Sequence, residues 1–417
     1  MKALAKLFQS TAGKQSLLIT VANFLAAALM AVAMIILGRK MGPVDFGTFS
    51  VGVSLMLIFH QAINVGFSQL IPRFVGNWYQ EPSKQKAFLA HVLFWQGLLA
   101  LTLLVVVWLF LPNLVTILNY PHPTMICLSA LGAVFFAFYS YLFNLFIAKQ
   151  EFTKAGLINV LQAAFKLLAF LAIIFAWQSN LLAISSSYYL ALLLAGLVLL
   201  ALSKEQLFFK PQALTGKLAK QVNRFWLHSA IATLSLVLID NLDLVLVQQS
   251  LGEQAAGLYS GAMKVAMFLS IIGASLESVL NSRVARYKDK AVLKQFLKKS
   301  QILIIVSVLL LLAVLPLSKY LIIFTLGADY LAADSILRLL LVNVFLLIPV
   351  LPLTAVFYAI DRPRYFSTIG LMRIVIIFAL SIWLLPKFGA EAVAASRIVA
   401  TLAVLIYSLI VVRKEMK

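Results

Sequence analysis

The stretch LGRKMGPVDFGTFS occupies residues 37–50, and a related stretch, VQQSLGEQAAGLYS, occupies residues 247–260. Both interrupt a chain that is otherwise almost wholly apolar, and both place two glycines five residues apart before an aromatic residue and a serine. One constant offset relates Gly42, Gly47, Phe49 and Ser50 to Gly252, Gly257, Tyr259 and Ser260. A motif that recurs half a chain later predicts two related halves.

The composition indicates the class of protein. Of the 417 residues, 63% are hydrophobic and only 12% are charged, and the mean hydropathy is +1.01. Apolar runs of the roughly 20 residues that cross a bilayer as a helix recur along the chain. Backbone groups in lipid need internal hydrogen-bond partners, which a helix provides. The sequence therefore excludes an ordinary soluble enzyme and predicts an all-α integral membrane protein.

Hydropathy and helix-breaking residues predict twelve transmembrane helices. The predicted spans are 16–38, 46–71, 87–111, 122–148, 155–177, 181–202, 225–247, 257–281, 300–317, 334–360, 365–386 and 391–412. The offset of the repeated motif carries each of the first six spans onto one of the last six. Because each half has an even number of spans, both halves point the same way. The predicted fold is two pseudo-symmetric six-helix bundles, a parallel repeat, around a central cavity.

Three segments follow from this plan: an N-terminal six-helix lobe at 1–202, a cytoplasmic linker at 203–224 and a C-terminal six-helix lobe at 225–417. With the N-terminus inside, the cytoplasmic segments hold 25 of the 34 lysines and arginines, and the outer loops hold four. This positive-inside bias predicts a multi-pass protein with both termini cytoplasmic. The short loops and the lack of targeting signals are typical of a bacterial plasma-membrane protein. The bias also explains most of the net charge of +20, so nucleic-acid binding is not invoked. The basic segment 284–300 is predicted to lie on anionic lipid.

Charged residues inside the predicted spans are functional candidates, because a charge at membrane depth is costly. The cations are Lys166, Lys264, Arg338, Arg373 and Arg397, and the acids are Asp240, Asp243 and Glu277. Lys166 and Arg373 lie near the centres of the fifth and eleventh spans, so each half offers a cation that could hold an anionic substrate. Lys264 and Arg397 complete the predicted cationic cavity. Charge neutralisation by neighbouring groups is the structural alternative.

Asp240 and Asp243 share one helical face at spacing i, i+3. Lys264 lies at a similar depth across the hairpin, which predicts an ion pair with one of the two acids. This pair has two possible roles. It is either a static structural pair, or a coupling switch that breaks when an anion, a proton or a sodium ion binds.

Other positions have predicted roles at the ends and bends of helices. Arg73 and Arg283 follow the second span of each half and are candidates for an inner gate or for anchors at the lipid surface. Asp334 and Arg338, one turn apart, predict a local salt bridge. The prolines of IPVLP at 348–352 predict a kink in the tenth span, which either serves packing or forms a gating hinge. No group of His, Cys and carboxylate residues has metal-ligand spacing.

The hairpin LGRKMGPVDFGTFS, the span that holds Asp243 and its LGEQAAGLYSGAMK continuation resemble the multidrug/oligosaccharidyl-lipid/polysaccharide exporter superfamily, and within it the Wzx-type polysaccharide flippases. The resemblance covers the whole chain through its twelve-span plan. It implies a V of two six-helix bundles that moves undecaprenyl-pyrophosphate-linked oligosaccharide from the inner to the outer leaflet. Superfamily lipid II flippases have a basic residue after the eighth-span tyrosine, a place that Lys264 occupies here.

The expected function is therefore a flippase for cell-surface polysaccharide synthesis that works by alternating access and is not an enzyme. Its partners would be the lipid-linked oligosaccharide, membrane lipids, and polysaccharide polymerase and glycosyltransferases. No cofactor is expected, and proton or sodium coupling stays open. Trp95, Tyr139 and Tyr141 could stack on sugars. The alternative is a multidrug/organic-cation antiporter of the same superfamily, which would need an excess of acids in its cavity. A polymerase or glycosyltransferase would need larger and more acidic outer loops.

Overall fold

The structure is a computed structural model. It describes residues 11–78, 80–177, 180–203, 216–284, 289–359 and 364–416. In this part of the chain the apolar segments form helices. The α-helices are α1 (Thr11–Asn64), α2 (Phe67–Asn77), α3 (Pro82–Leu109), α4 (Leu111–Ile117), α5 (Pro123–Ala148), α6 (Phe152–Trp177), α7 (Leu181–Ser203), α8 (Gly216–Leu251), α9 (Glu253–Val284), α10 (Lys290–Ser300), α11 (Ile302–Val314), α12 (Ser318–Thr325), α13 (Asp334–Leu347), α14 (Val350–Ala359), α15 (Arg364–Phe388) and α16 (Ala390–Met416). Short 3₁₀ turns occupy Leu315–Leu317 and Ala328–Ala333.

Ten stretches of the described residues are helical, long and apolar enough to cross a membrane, against twelve in the sequence prediction. Most of the predicted spans 16–38 and 46–71 falls in one stretch, Leu18–Asn64, which contains two helices that meet at the non-helical residue Gly42. The predicted span 257–281 lies inside α9, which is not among the ten. The all-helical membrane class is therefore confirmed.

The repeated motif forms two turns in which each glycine has its own physical role. Gly42 and Gly252 have backbone φ angles of +74° and +81°, a region that glycine enters without steric cost. Gly47 and Gly257 are instead places of close approach. A Cβ on Gly47 would overlap the backbone of Glu253 and Gly257, and a Cβ on Gly257 would overlap the carbonyl of Pro43. The second glycine of each copy therefore lets the two hairpins pack backbone to backbone.

The helices pack into two compact units, which differ from the two lobes of the sequence prediction in their boundaries. The first contains residues 1–34 and 52–237, and the second contains 35–51 and 238–417. The turn of α1 therefore packs in the second unit, where the Tyr330 hydroxyl donates to the Gly38 carbonyl at 3.0 Å. Most of the predicted linker, residues 204–215, lies outside the described residues.

In the first unit, the helices α5 and α7 approach closely over small residues. Gly132 lies against the ring of Tyr189, and Gly196 lies against the ring of Phe138, so that a side chain at either glycine would collide with an aromatic ring. The Ser129 hydroxyl donates to the Gly52 carbonyl at 2.8 Å and ties α5 to α1.

The tenth predicted span is broken at its prolines, as the sequence predicts. The helix α13 ends at Leu347 and α14 begins at Val350, so the break lies at Ile348 and Pro349. Proline has no backbone N–H to donate and its ring crowds the preceding turn, which interrupts the helical ladder. The kink is confirmed, and a hinge at this point stays a hypothesis.

Candidate functional site

Five ionisable side chains of the second unit form what we call the charged cluster. The acids Asp240 and Asp243 lie on α8, Lys264 lies on α9, Arg373 lies on α15 and Arg397 lies on α16. An apolar core of Ile239, Ile377 and Ala400 packs α8, α15 and α16 together, with Ile374 and Ile376 against it. This packing brings side chains from distant parts of the sequence into one region.

Asp243 is the buried centre of the cluster. Its Oδ2 accepts hydrogen bonds from Arg397 Nε at 2.8 Å and from the Tyr259 hydroxyl at 2.6 Å, and it lies 2.7 Å from Arg397 Nη2 in a salt bridge. Its Oδ1 accepts from the Leu244 amide at 2.8 Å. Charge-assisted hydrogen bonds of this length are the strong ones in proteins, and both oxygens of the carboxylate are engaged.

The partner of Asp243 corrects the sequence prediction, which assigned an ion pair with Asp240 or Asp243 to Lys264. Arg397 takes the place next to Asp243 because α16 packs against α8, and its Nη2 also donates to the Ile239 carbonyl at 2.9 Å. Lys264 interacts electrostatically with both acids. Among the described residues, however, no carboxylate oxygen lies within 4 Å of the Lys264 amine, so it forms no salt bridge there. Arg397 is thereby a structural partner of Asp243.

Arg373 is the cation of the cluster that is least compensated. Its Nε is buried and has no hydrogen-bond partner among the described residues. The side chain lines a cavity of about 300 Å³ together with Thr354, Thr401 and Glu277. Arg373 interacts favourably with Asp240 and unfavourably with Arg397. An unpaired guanidinium nitrogen beside a cavity is suited to an incoming anion.

The charges of the cluster leave a positive surplus. Three cations stand against two acids within the cluster, which gives these five residues a formal charge of +1, and the carboxylate of Glu277 lies outside the cluster in the wall of the Arg373 cavity. Asp243 compensates Arg397, and the exposed Asp240 is left to serve both Lys264 and Arg373. An anion would therefore be attracted to the cations of the cluster, and Glu277 would limit that attraction on the cavity side.

Lys166 is a buried cation of the first unit, and it lines a cavity of about 460 Å³. The side chain on α6 is only 3% exposed, and its Nζ lies 3.9 Å from the ring centroid of Tyr188. Within the described chain no carboxylate lies within 4 Å of this amine. A desolvated cation–π contact is worth about 2 kcal/mol, which offsets only part of the several kcal/mol that burying an ammonium costs. An anionic or polar ligand would supply the rest.

Carboxamides share the Lys166 cavity, and the sequence analysis did not single them out. Asn159 Nδ2 donates to Asn23 Oδ1 at 2.9 Å, and the Tyr139 hydroxyl donates to Asn159 Oδ1 at 3.3 Å. Gln162 also lines the cavity. The spacing of Asn159, Gln162 and Lys166, i, i+3 and i+7, is the signal that could have found this polar face in an apolar span.

Stacked rings cover one side of the same cavity. Phe136 and Tyr139 stack with centroids 6.3 Å apart, Tyr139 and Phe143 stack at 5.7 Å, and all three line the cavity. Of the other two predicted sugar platforms, Trp95 is exposed and Tyr141 is buried, and neither lines this cavity. Of the three predicted aromatic residues, Tyr139 is therefore the one that lines the Lys166 cavity.

Of the two arginines of the predicted inner gate, the structure describes the side chain of Arg73 only. Arg73 on α2 is exposed, and its guanidinium carbon lies 3.9 Å from the ring centroid of Phe225, which packs edge-on against Phe74. The side chain of Arg283 lies outside what the structure describes. The role of this pair as a gate stays a prediction. In the described residues, no group of three His, Cys, Asp or Glu side chains could hold a metal ion.

Comparison by sequence finds one protein family. The family described as "polysaccharide biosynthesis protein" matches residues 12–281, which is well over half of the chain. No curated protein matches the chain.

Comparison by structure finds transporters along nearly the whole chain. An inward-facing multidrug resistance MATE family transporter of the MOP superfamily matches at a TM-score of 0.72, with 15% identity over 94% of each chain. Lipid II flippase MurJ in an inward closed conformation matches at 0.78, with 13% identity over 95% of this chain and 87% of that one. A MOP superfamily transporter from Pyrococcus furiosus, described as having a binding pocket of reverse polarity, matches at 0.64, with 13% identity over 99% and 97%. At such identities the likeness is one of fold.

Proposed function

This chain belongs to the polysaccharide biosynthesis protein family, within the fold of the MOP superfamily, and from that premise we propose that it is a flippase for polyprenyl-pyrophosphate-linked oligosaccharide. It would carry this substrate from the inner to the outer leaflet for cell-surface polysaccharide synthesis. The structural neighbours include a multidrug resistance transporter and a lipid II flippase, which agrees with the resemblance in the repeated hairpin.

The observation that carries the proposal is the positive surplus of the charged cluster at Arg373. A pyrophosphate diester has about two negative charges and several acceptor oxygens. The buried and unpaired Nε of Arg373, beside a cavity, offers a donor of the required sign. Lys264 and Arg397 hold further positive charge within electrostatic range of the same acids. A site for an organic cation would show the opposite surplus.

The glycan is assigned to the Lys166 cavity. Sugar hydroxyls both donate and accept hydrogen bonds, and carboxamides such as Asn159 and Gln162 offer both functions in return. The stacked rings at Tyr139 offer an apolar platform for a sugar face. The amine of Lys166 adds a donor or a positive charge.

The membrane potential gives the transport its proposed direction. Moving about two negative charges outward across an inside-negative potential of about 100 mV is favourable by roughly 4–5 kcal/mol if they cross the full field. Coupling to a proton or sodium ion is the alternative source of energy, and the exposed Asp240 is the acid that would bind it. We assign the chain twelve crossings of the plasma membrane, cytoplasmic termini and an alternating-access cycle. Its partners would be the polymerase and glycosyltransferases of the same pathway.

An organic-cation antiporter is the second candidate function. The exposed carboxylate of Asp240 is the observation that favours it, because a lipophilic cation could bind there. The engagement of Asp243 by Arg397 and Tyr259 counts against it, because it removes the second acid.

The test uses proteoliposomes that contain a polyprenyl-pyrophosphate oligosaccharide with a fluorescent sugar end. The accessibility of the fluorophore to an impermeant quencher is followed with and without an imposed potential. We expect Arg373→Gln to slow flipping at least tenfold, because one strong charge-assisted contact is worth about 1.5–3 kcal/mol.

Arg338→Gln is the matched control, since this exposed arginine belongs to a local pair with Asp334 outside the cluster. Its flipping rate should stay within twofold of the wild type, and both variants should keep the wild-type melting temperature. Equal rates for Arg373→Gln and the wild type would overturn the proposal. So would export of an organic cation that requires Asp240 when the lipid-linked glycan is not moved.

A further inference from the structure

The second unit contains a groove that the proposed transport does not use. It encloses about 600 Å³ between α10, α11, α13, α14 and α16. This volume lies in the range of ligand-binding pockets, which is about 300–1,000 Å³. The break at Pro349 forms part of the groove, because Pro349, Pro352 and Leu353 all line it. The interrupted helix thus leaves open a space that a straight helix would fill.

Three exposed cations stand at one end of the groove. Lys294 and Lys298 project from the amphipathic helix α10, and Arg413 lies near the end of α16. Within the described residues none of the three has a carboxylate within 4 Å. Neighbouring Ser300 and Gln301 add hydrogen-bonding groups to the same end. This end of the groove is therefore complementary to an anionic headgroup.

Away from the cations the walls become apolar. Ile304, Val308 and Leu311 form a stripe along α11 at helical spacing, and Leu409 and Leu405 form a stripe along α16. From Ile304 to Leu311 the stripe runs about 10 Å at ~1.5 Å per residue. That length lies within one leaflet, which is about half of the ~30 Å hydrocarbon core.

We propose that this groove is a specific site for one anionic phospholipid, and we call it the lipid groove. Lys294, Lys298 and Arg413 hold the phosphate, and one acyl chain lies along the apolar stripes of α11 and α16. The length of the stripes favours a phospholipid acyl chain over a polyprenyl chain, which is much longer than one leaflet. With the positive-inside orientation, the lipid comes from the cytoplasmic leaflet.

A phospholipid bound in the lipid groove would link α10 to α16. The inner face of α10 packs on the apolar core of the second unit through Leu293 and Leu297. A bound phospholipid adds a polar link between the cations of α10 and Arg413. Occupancy of the groove would therefore stabilise the second unit by mass action.

Native mass spectrometry of the full chain in detergent tests the proposal, with added phosphatidylglycerol as the anionic probe and phosphatidylcholine as the zwitterionic one. The wild type should retain one phosphatidylglycerol in preference to phosphatidylcholine. In the double variant Lys298→Gln/Arg413→Gln, the affinity for phosphatidylglycerol should fall about 30-fold, as expected for the loss of two cations near a membrane surface.

The sequence neighbours of these cations give a matched control. Lys299→Gln/Lys414→Gln removes the same charge from the same two helices, and neither residue lines the groove. Its affinity should stay within about twofold of the wild type. A second variant, Val308→Trp, fills the apolar stripe without changing charge and should also lower the affinity at least tenfold.

Three results would overturn the proposal. The first is a loss of phosphatidylglycerol affinity in Lys299→Gln/Lys414→Gln as large as in Lys298→Gln/Arg413→Gln. The second is retention of phosphatidylcholine by the wild type to the same extent as phosphatidylglycerol. The third is retention of a polyprenyl phosphate in preference to phosphatidylglycerol. The readout is binding alone, so it does not depend on whether the chain proves to be a flippase.

Discussion

Two aspartate–arginine pairs of this chain have the same length and differ in their surroundings. Asp243 and Arg397 approach to 2.7 Å with side chains 0% and 11% exposed, whereas Asp334 and Arg338 approach to 2.7 Å with side chains 20% and 53% exposed. Water screens the second pair and supplies alternative partners for it. The first pair has been taken out of water, so each charge depends on the other.

We therefore expect Asp243→Asn to destabilise the protein by about 3–5 kcal/mol, because it leaves Arg397 buried without its counter-charge. Asp334→Asn should cost less than about 1 kcal/mol. Thermal unfolding of the purified variants in one detergent compares them directly. The double variant Asp243→Leu/Arg397→Leu should recover most of the loss, since no buried charge remains. Equal melting temperatures for Asp243→Asn and Asp334→Asn would contradict this account.

The sequence located the charged residues but not their pairing. Asp334 and Arg338 lie one turn apart, so their salt bridge was predictable from helical geometry and is confirmed. Asp243 and Arg397 are separated by 154 residues. Hydropathy gives the depth of a residue in the membrane and not the direction in which its helix face points. It therefore could not distinguish Arg397 from Lys264 as the partner.

At the scale of helices, the repeated motif combines two different requirements in one turn. The first glycine of each copy supplies a positive φ, and the second supplies the missing side chain at a backbone contact. The repeated spacing in the sequence singled out all four glycines. It could not assign the two roles, because both requirements select the same residue.

We expect Gly47→Ala and Gly257→Ala each to cost about 1–3 kcal/mol or more, because the new methyl group meets backbone that has no rotamer with which to yield. The measurement is the fraction of protein that elutes as a single species after extraction, with its melting temperature. The matched control is Gly97→Ala in the middle of α3, where nothing lies within 4 Å of the added Cβ. It should behave as the wild type. A control as damaging as Gly257→Ala would refute the argument from close approach.

The boundaries of helices were the part of the fold that the sequence predicted best. The spans 122–148 and 181–202 nearly coincide with α5 and α7, because their apolar runs end at clear breakers. The first two spans were drawn as separate, and the structure has two helices that meet at the non-helical residue Gly42.

At the scale of the whole molecule, the packing of the chain cuts across its sequence halves. Residues 35–51 belong to the first half by sequence and pack in the second unit, and residues 225–237 pack in the first. Periodicity and repeats could predict that two halves exist, because they are properties of local sequence. The exchange of segments depends on contacts across the chain, which no local pattern encodes.

The positive-inside bias makes a prediction for the molecule in its membrane. In a Cys127→Ala background, Lys319→Cys should react with a membrane-impermeant maleimide in intact cells, and Lys84→Cys should react only after permeabilisation. Both lysines are exposed, so access to the side chain does not limit the reaction. The reverse pattern would overturn the predicted orientation, and labelling of both sites in intact cells would mean that the chain does not keep a single orientation.

The contact between Gly47 and Gly257 has a consequence for how the sequence can change over time. The two positions correspond in the repeated motif, and each lies against the backbone next to the other. A larger residue at either position is resisted by the same interface, whichever copy mutates first. The two copies of the motif therefore cannot drift independently at this position, even where the rest of the two halves has diverged. Mutational tolerance along this chain should be lowest where it meets its own duplicate.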